Sequence, residues 1–552
     1  MMKKNIIYSL SAIIIMTGIL FTISCDDDKF LERFPLDAPS PEIFFVDEAS
    51  ARMAVTAAHR PWRVPYQSYR RDLVLQLDAG SDDVYHRPAR ASSIQFADWN
   101  FDASHIHPNA YWNMAFQSIN HANFAIANIP GLLDRGLSQA QIDPYIAEAH
   151  FMRGFSYLFL VSLFGEVPLH DKPRSSFDEF DQPRAPLADI YGQIFADFTL
   201  AREKLPERQP AAYTGAPTSA AAAAFLAKAY LYSERWNDAE TAARTAISIA
   251  EGSGYQLVDD YLSIFSIENE GNPELLYYIT FVENDRDFGN NYSIGVLTRA
   301  NPPQFNHVQG MAGWGYLLPT RDLFDAYEPG DPRRDYTIFY PGTTTWGVYS
   351  ADQPFTYTHR IFNEAGELEE YERTYTAGTP IEYDYRWSET GMNTRKTRRF
   401  MGNVQDGHSC GLDVPVMRMA ELYLILAEAL AEQGKDEALD WVNKVRARAS
   451  VDMPPKTAAD GTLRDLVRHE RRVELALEGH RLYDLFRWRT VKETFGDGTR
   501  VKKHFFSDYL TDMDSKYKNP KLDNYPGDLV LFPVPQNEID RNSQIYTNNP
   551  GY

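Results

Sequence analysis

The stretch Thr218-Ser219-Ala220-Ala221-Ala222-Ala223-Ala224-Phe225-Leu226-Ala227-Lys228-Ala229-Tyr230, continued through Trp236-Asn237-Asp238 to Ile249, decides the fold. Ala222, Phe225, Leu226, Ala229 and Tyr230 fall at i, i+3, i+4, i+7 and i+8, which is one face of a helix. Thr218 stands where a helix N-cap is expected. The turn at Trp236-Asn237-Asp238 starts a second helix through Ile249. Small residues sit where the two would cross (Ala224, Ala227, Ala229, Ala239, Ala243) and let the axes approach closely.

The two helices span just over 30 residues, the period of a tetratricopeptide hairpin. Similar punctuation recurs on both sides. Upstream, helices are predicted over 47–60, 109–129, 139–164 and 186–205. The last of these has Pro186 at its first turn and Pro206 beyond its end. Downstream, 417–433 and 436–449 form another hairpin, and 463–488 reads as one long charged helix. Between them, 252–413 is rich in Gly, Pro, Tyr, Trp, Asn and Thr and lacks helical periodicity. Solenoid repeats share one continuous core. The prediction is therefore mainly α: tetratricopeptide-like hairpins at about 109–250 and 417–488 form one solenoid-like core, with a large irregular, loop-rich insertion at about 252–413 packed on it. Residues 46–552 form a single domain.

The N-terminus reads differently. Met1–Lys4 is basic, and Asn5–Ser24 carries no charge. This is the layout of a signal peptide over 1–24, although so long an apolar run could also span a bilayer. Cys25 follows at once, then Asp26-Asp27-Asp28. A thiol at this border resembles the lipobox of bacterial lipoproteins, with Thr22 where Leu is usual. Cys25 is thus expected to be lipidated and to become the new N-terminus. Residues 25–45, punctuated by Pro35, Pro39 and Pro41, form an arm leading to the body. Removing 1–24 takes Lys3 and Lys4 away and moves the formal charge from −21 to −23. A body this acidic argues against nucleic acid, whose phosphates need Lys and Arg. With Cys25 acylated, Cys410 has no disulfide partner and is expected in the core.

Longer blocks resemble a known family. Ile146–Tyr157 with Leu163–Leu169 is similar to the N-terminal block of SusD/RagB-type outer-membrane nutrient-binding lipoproteins of Bacteroidetes. Met417–Leu424, Asn443–Arg448, Glu470–Leu475 and Gly479–Trp488 resemble its C-terminal blocks, and Phe532–Ile539 with Asn549–Tyr552 its closing motif. The resemblance runs from Cys25 to Tyr552. It implies a lipid-anchored, surface-exposed outer-membrane protein that captures an oligosaccharide or polysaccharide and delivers it to a SusC-like TonB-dependent transporter, without catalysis of its own. Some relatives capture peptides instead. Asp26–Asp28 resembles the export signal of surface lipoproteins in the same group.

Sugar recognition needs flat apolar rings against pyranose CH faces and polar groups at the rim. Aromatics are 13% of the chain, with 33 Tyr and 9 Trp. The candidates are Trp99 with Asn100, Tyr292, Trp314 with Tyr316, and Trp346 with Tyr349. Gly313-Trp314-Gly315 and Thr345-Trp346-Gly347 place an indole between small residues, where a loop can expose it. Each ring could equally plug the core beneath its loop. Arg71, Asp72 and Asp83 are candidate polar contacts.

Other patterns fit chemistry less well. Glu470, Glu474 and Glu478 lie at i+4 steps, too constrained to flank a glycosidic bond as a hydrolase pair does, and are read as structural ion pairs. A lipid-anchored polysaccharide-degrading enzyme is therefore the weaker alternative. Gly407-His408-Ser409-Cys410-Gly411 matches G-x-S-x-G without the strand–turn–helix that gives it meaning. His105-Ile106-His107 and the trio Asp78, Asp82, Asp83 could attract a metal but lack placed ligands or EF-hand spacing. No cofactor or metal is expected.

Overall fold

The computed structural model describes residues 41–67, 77–86, 91–174, 181–210, 213–283, 285, 289–290, 305, 313–362, 368–388, 390–396, 410–496, 531–545 and 547–552. Ten helices carry the architecture: α1 (Glu48–Gln67), α2 (Ile106–Asn128), α3 (Gln139–Phe164), α4 (Leu187–Lys204), α5 (Ser219–Tyr232), α6 (Trp236–Gly252), α7 (Met419–Glu432), α8 (Ala438–Arg446), α9 (Leu463–Glu474) and α10 (Arg481–Trp488). Each packs on its neighbour in sequence from α1 to α6, and α6 then packs on α7, across more than 160 intervening residues. The solenoid is thus continuous in space although interrupted in sequence.

Local chemistry sets the ends. Thr218 caps α5 by accepting the Ala221 amide at 3.3 Å. Ser138 and Gln141 form a capping box at the start of α3. The helix α3 is buried along nearly its whole length. Its Arg153 clamps Asp197 of α4 with two bonds, at 2.7 and 2.9 Å, and reaches Asn123 of α2 at 2.8 Å. Gly154, one residue on, lets α4 approach closely: a Cβ there would sit 3.1 Å from Asp197 Cβ.

The expected helix over 463–488 is two helices. Leu477 (φ 61) and Gly479 (φ 79) adopt left-handed backbone between α9 and α10, which no continuous helix accommodates. The turn is held by the Gly479 amide, which donates to Asp78 Oδ1 at 3.0 Å.

The insertion has more order than its composition suggests. Among the described residues ten short strands, all but β1 within or bordering the insertion, form antiparallel pairs. The strand β2 (Leu275–Ile279) pairs with β10 (Val414–Arg418) at the neck. Inside that pair lie β4 (Ile338–Phe339) with β9 (Asn393–Thr394), then β5 (Thr344–Val348) with β8 (Pro380–Glu382), then the hairpin β6 (Phe355–Phe362) with β7 (Leu368–Tyr375). The pairs are nested, each enclosed by the one before. The exception is β1 (Val84–His86), which pairs with β3 (Leu317–Pro319) and ties the N-terminal part to the insertion. An aromatic cluster of Phe305, Phe339, Tyr349, Tyr375, Tyr383 and Trp387 fills the insertion's centre.

Buried ion pairs join insertion and solenoid. Glu474 on α9 accepts Arg418 at 2.7 Å, Arg448 at 3.0 Å and Arg333 at 3.0 Å. Glu470 accepts Arg333 at 2.5 Å and Arg446 at 3.0 Å. Glu478, in the turn after α9, accepts Lys396 at 2.6 Å and Arg418 at 2.8 Å. Arg333 and Lys396 belong to the insertion, so the three glutamates are structural, as their spacing suggested.

Candidate ligand-binding surface

Pairing of β1 with β3 sets His86 opposite Leu317, and the residues entering β3 are Trp314-Gly315-Tyr316. Gly315 has φ +61, a left-handed turn that costs glycine little. The two rings it separates come together, with centroids 5.4 Å apart and planes at 35°. The buried His86 stacks on Tyr316 at 5.8 Å and 20°. Trp314 and Tyr316 are each half-buried. The result is a supported aromatic ledge at the edge of a short strand pair.

The ledge is fixed from below by charge. Arg481 of α10 donates to both carboxylate oxygens of Asp82, at 2.7 and 2.8 Å. Arg472 of α9 donates to Asp83 at 2.6 Å and to Asp322 at 2.6 Å. The backbone carbonyls of Asp82 and Asp83 receive Thr320 Oγ1 and the Thr320 amide, each at 2.9 Å. Burial alone would raise the Asp82 carboxyl, but Arg481 and Arg472 outweigh it and hold it well below the usual range. The strands β1 and β3 therefore rest on a bidentate ion-pair knot rather than on hydrophobic contact alone.

Asp83 is consequently not a rim contact: it is buried and spent on Arg472. The same pairing takes Asp82 and Asp83 away from any calcium arrangement with Asp78. Trp99 is also a core residue, 4% exposed. Its Nε1 donates to Gly80 O at 2.9 Å, and its ring packs on Phe486 and Phe495. Tyr349 lies in the insertion's aromatic cluster, 4% exposed, its hydroxyl donating to Gln353 O at 2.9 Å. In these two cases the ring plugs the core beneath its loop.

Asn100 is exposed at the edge of a polar cleft of about 700 Å³ that Gln95, Asp102 and Tyr552 also line. Trp346 lies on β5, and only its backbone belongs to the described residues. Cys25, Arg71, Asp72, Tyr292 and Ser409 lie outside the described residues. His86 was missed by sequence reasoning. Its signal, a histidine ending a short strand after an acidic turn, has no ligand-specific pattern.

Two further motifs resolve structurally. His105 caps α2: its Nδ1 accepts the His107 amide at 3.3 Å, which leaves Nε2 as the donor to Ser92 O at 3.0 Å. Burial, reinforced by His105 and His86, pushes His107 down to about 3, so it is neutral. Cys410 is fully buried and forms an isolated antiparallel bridge with Asn290. Among the described residues no group of three His, Cys, Asp or Glu side chains is arranged to hold a metal ion.

Comparison with known proteins identifies the setting of this surface. The model of the SusD family matches residues 274–552. A second family model, described as starch-binding and associating with the outer membrane, matches residues 66–231. SusD-like protein P2 of Formosa agariphila is 28% identical over 573 aligned positions that cover 100% of both chains. A SusD-like carbohydrate binding protein of Bacteroides fragilis superposes with TM-score 0.71 at 25% identity, covering 91% of this chain and 99% of the other. A laminarin binding SusD-like protein shares the fold with TM-score 0.69 at 24% identity, covering 92% of this chain and 100% of that one.

Proposed function

This chain belongs to the SusD family, and on that premise we propose that it is a glycan-capturing protein of the outer-membrane surface whose ligand stacks on the Trp314–Tyr316 ledge. The observation that carries this reading is the ring pair itself. Two half-buried aromatic rings 5.4 Å apart, backed by His86, suit the CH faces of a pyranose. A ledge fixed by ion pairs is preorganised, so little ordering cost falls on binding. The ligand is held reversibly, by stacking and hydrogen bonds. No group is assigned to bond cleavage, since Glu470, Glu474 and Glu478 are each committed to buried cations.

The bound glycan passes to a TonB-dependent transporter of the SusC type. Lipidation at Cys25 keeps the body beside it, and Asp26–Asp28 directs export to the surface. The matched family description, which names starch binding and the outer membrane, supports this placement.

The test is calorimetry of the mature protein against malto-, laminari- and cello-oligosaccharides and a peptide mixture. Glycan binding that falls about ten- to thirtyfold in Trp314→Ala, the loss expected of an interfacial aromatic anchor, with an unchanged melting temperature, is the expected result. Binding of peptides alone would move the protein to a peptide-capturing role. Sugar release without added enzyme would end the binding-only reading. In cells, Cys25→Ala is expected to abolish surface retention, and retention of that variant would overturn the anchor.

A further inference from the structure

A second cleft, lined by none of the residues of the Trp314 ledge, opens between the start of α4, the turn joining α5 to α6, and the end of α10. Its volume is about 600 Å³, within the roughly 300–1,000 Å³ range of small-molecule sites. Tyr191, Phe195, Tyr232 and Tyr483 contribute its aromatic wall. Glu234 and Arg489 stand at its side and pair with each other at 2.9 Å. Both have left-handed backbone, at φ 58 and φ 56, a conformation that side chains other than glycine adopt sparingly.

Two properties define what the cleft would hold. The first is charge. Arg489 is matched by Glu234, Arg235 by Asp238 at 2.7 Å, and Arg487 by Glu428 and Asp484 at 2.5 and 2.7 Å. Each cation lining the cleft among the described residues is thus neutralised, so none of them draws an anionic ligand.

The second is an unmade hydrogen bond. The Tyr232 hydroxyl is buried and has no hydrogen-bond partner among the described residues. Tyr232 lines both the cleft and an inner cavity of about 90 Å³ that Lys228 and His480 also line. A buried polar group left unsatisfied is costly. The Tyr232 ring is fixed, with the Lys228 ammonium 5.5 Å and the Arg487 guanidinium 5.0 Å from its centre. Tyr191 is near enough to feel both Tyr232 and Glu234, which add to burial in raising its phenol. Tyrosines, a carboxylate and a guanidinium thus line the cleft together, without net charge.

We propose that this cleft is a second carbohydrate site, one that takes the end of a neutral oligosaccharide, with Tyr232 Oη bonded to a sugar hydroxyl and Tyr191 stacked on the ring. The proposal extends the glycan-capturing reading and rests on it. Two sites on one body would let a single chain hold two points of one polymer and so gain affinity through effective concentration.

The test is calorimetry and thermal-shift measurement with neutral malto-, laminari- and cello-oligosaccharides on the mature wild type, Trp314→Ala, Tyr191→Ala and Tyr232→Phe. Two binding events are expected in the wild type. Trp314→Ala should remove one, and Tyr191→Ala or Tyr232→Phe should weaken the other about tenfold. The ligand-free melting temperature of Tyr232→Phe should be equal or higher, because the hydroxyl it removes is unsatisfied. A single event abolished by Trp314→Ala would overturn the second cleft and leave the ledge standing. A single event abolished by Tyr232→Phe and untouched by Trp314→Ala would support the cleft and remove the ledge. No binding of any of the sugars would overturn both.

Discussion

Asp413 shows how a single carboxyl carries a pH dependence. It sits at the neck of the insertion, its Oδ1 accepting the Phe281 amide at 3.1 Å. Burial pushes it up to about 7, although the Phe281 amide and Arg63 pull the other way. Its folded value lies above its unfolded one, so between about pH 4 and 7 the folded chain holds a proton that the unfolded chain releases. Stability from this group therefore falls as pH rises through that window. Asp413→Asn keeps the bond from Phe281 and removes the titration. We expect it to add about 1–2 kcal/mol of stability at pH 8 and nothing at pH 4, read as a melting-temperature rise at the higher pH alone. The same scale explains what could be read of the candidate surface. Glycines flank the Trp314 indole, and Trp314 and Tyr316 are half-buried as a loop pair can be. Trp99 and Tyr349 gave a similar signal and are buried. A loop aromatic looks the same in sequence whether its ring faces solvent or plugs the core, and only the distant residues that cover it, Phe486 and Phe495 for Trp99, decide.

The helix α9 and the turn after it show what an element inherits from partners far along the chain. The i+4 glutamates predicted one charged stripe on one long helix. Glu470 and Glu474 keep that stripe, but Glu478 lies beyond the helix, where Leu477 and Gly479 reverse the backbone sign. The break was hidden because nothing between 475 and 480 but Gly479 marks it, and its anchor, Asp78, lies some 400 residues upstream. Burial would raise the Glu474 carboxyl, yet Arg448, Arg418 and Arg333 together hold it well below the ordinary range. Its stability contribution is thus complete above the unfolded carboxyl value and lost as pH falls below it. Removing one partner of a buried ion network leaves the others uncompensated. Glu474→Gln keeps the shape and loses the charge, so we expect a loss of about 3–5 kcal/mol, measured as a lower denaturation midpoint at pH 7. The deficit should shrink toward pH 3, where the unfolded chain's carboxyl takes up a proton while the folded one stays ionised. A loss that stayed the same across that range would mean that packing, not charge, held α9 in place.

At the scale of the molecule, the order of the helices was legible from periodicity and punctuation, and the packing of α6 on α7 follows because neither hairpin buries its apolar face alone. The nested strands were not legible. They are two to eight residues long, their partners are up to about 140 residues apart, and so short a strand carries too little alternation to be read. This arrangement bears on whether the insertion is a separate unit. It has its own aromatic cluster, which could suggest independent folding. Its outer strand pair, however, ends in Arg418, the residue that caps α7 and also binds Glu274, Glu474 and Glu478. Arg333 and Lys396 place two more insertion cations against the α9 end. Detaching the insertion would strand several buried charges at once, whereas the aromatic cluster alone is too small to compensate. We therefore expect one cooperative transition on heating. Far-UV circular dichroism, which follows the solenoid helices, and near-UV dichroism, to which the packed Tyr and Trp rings of the insertion contribute, should report the same midpoint. In Glu474→Gln the two midpoints should separate, the near-UV signal falling first, because the joint between the two parts has been weakened. Two separate transitions already present in the wild type would show that the insertion is an autonomous domain and that the ion network is not what unites the chain.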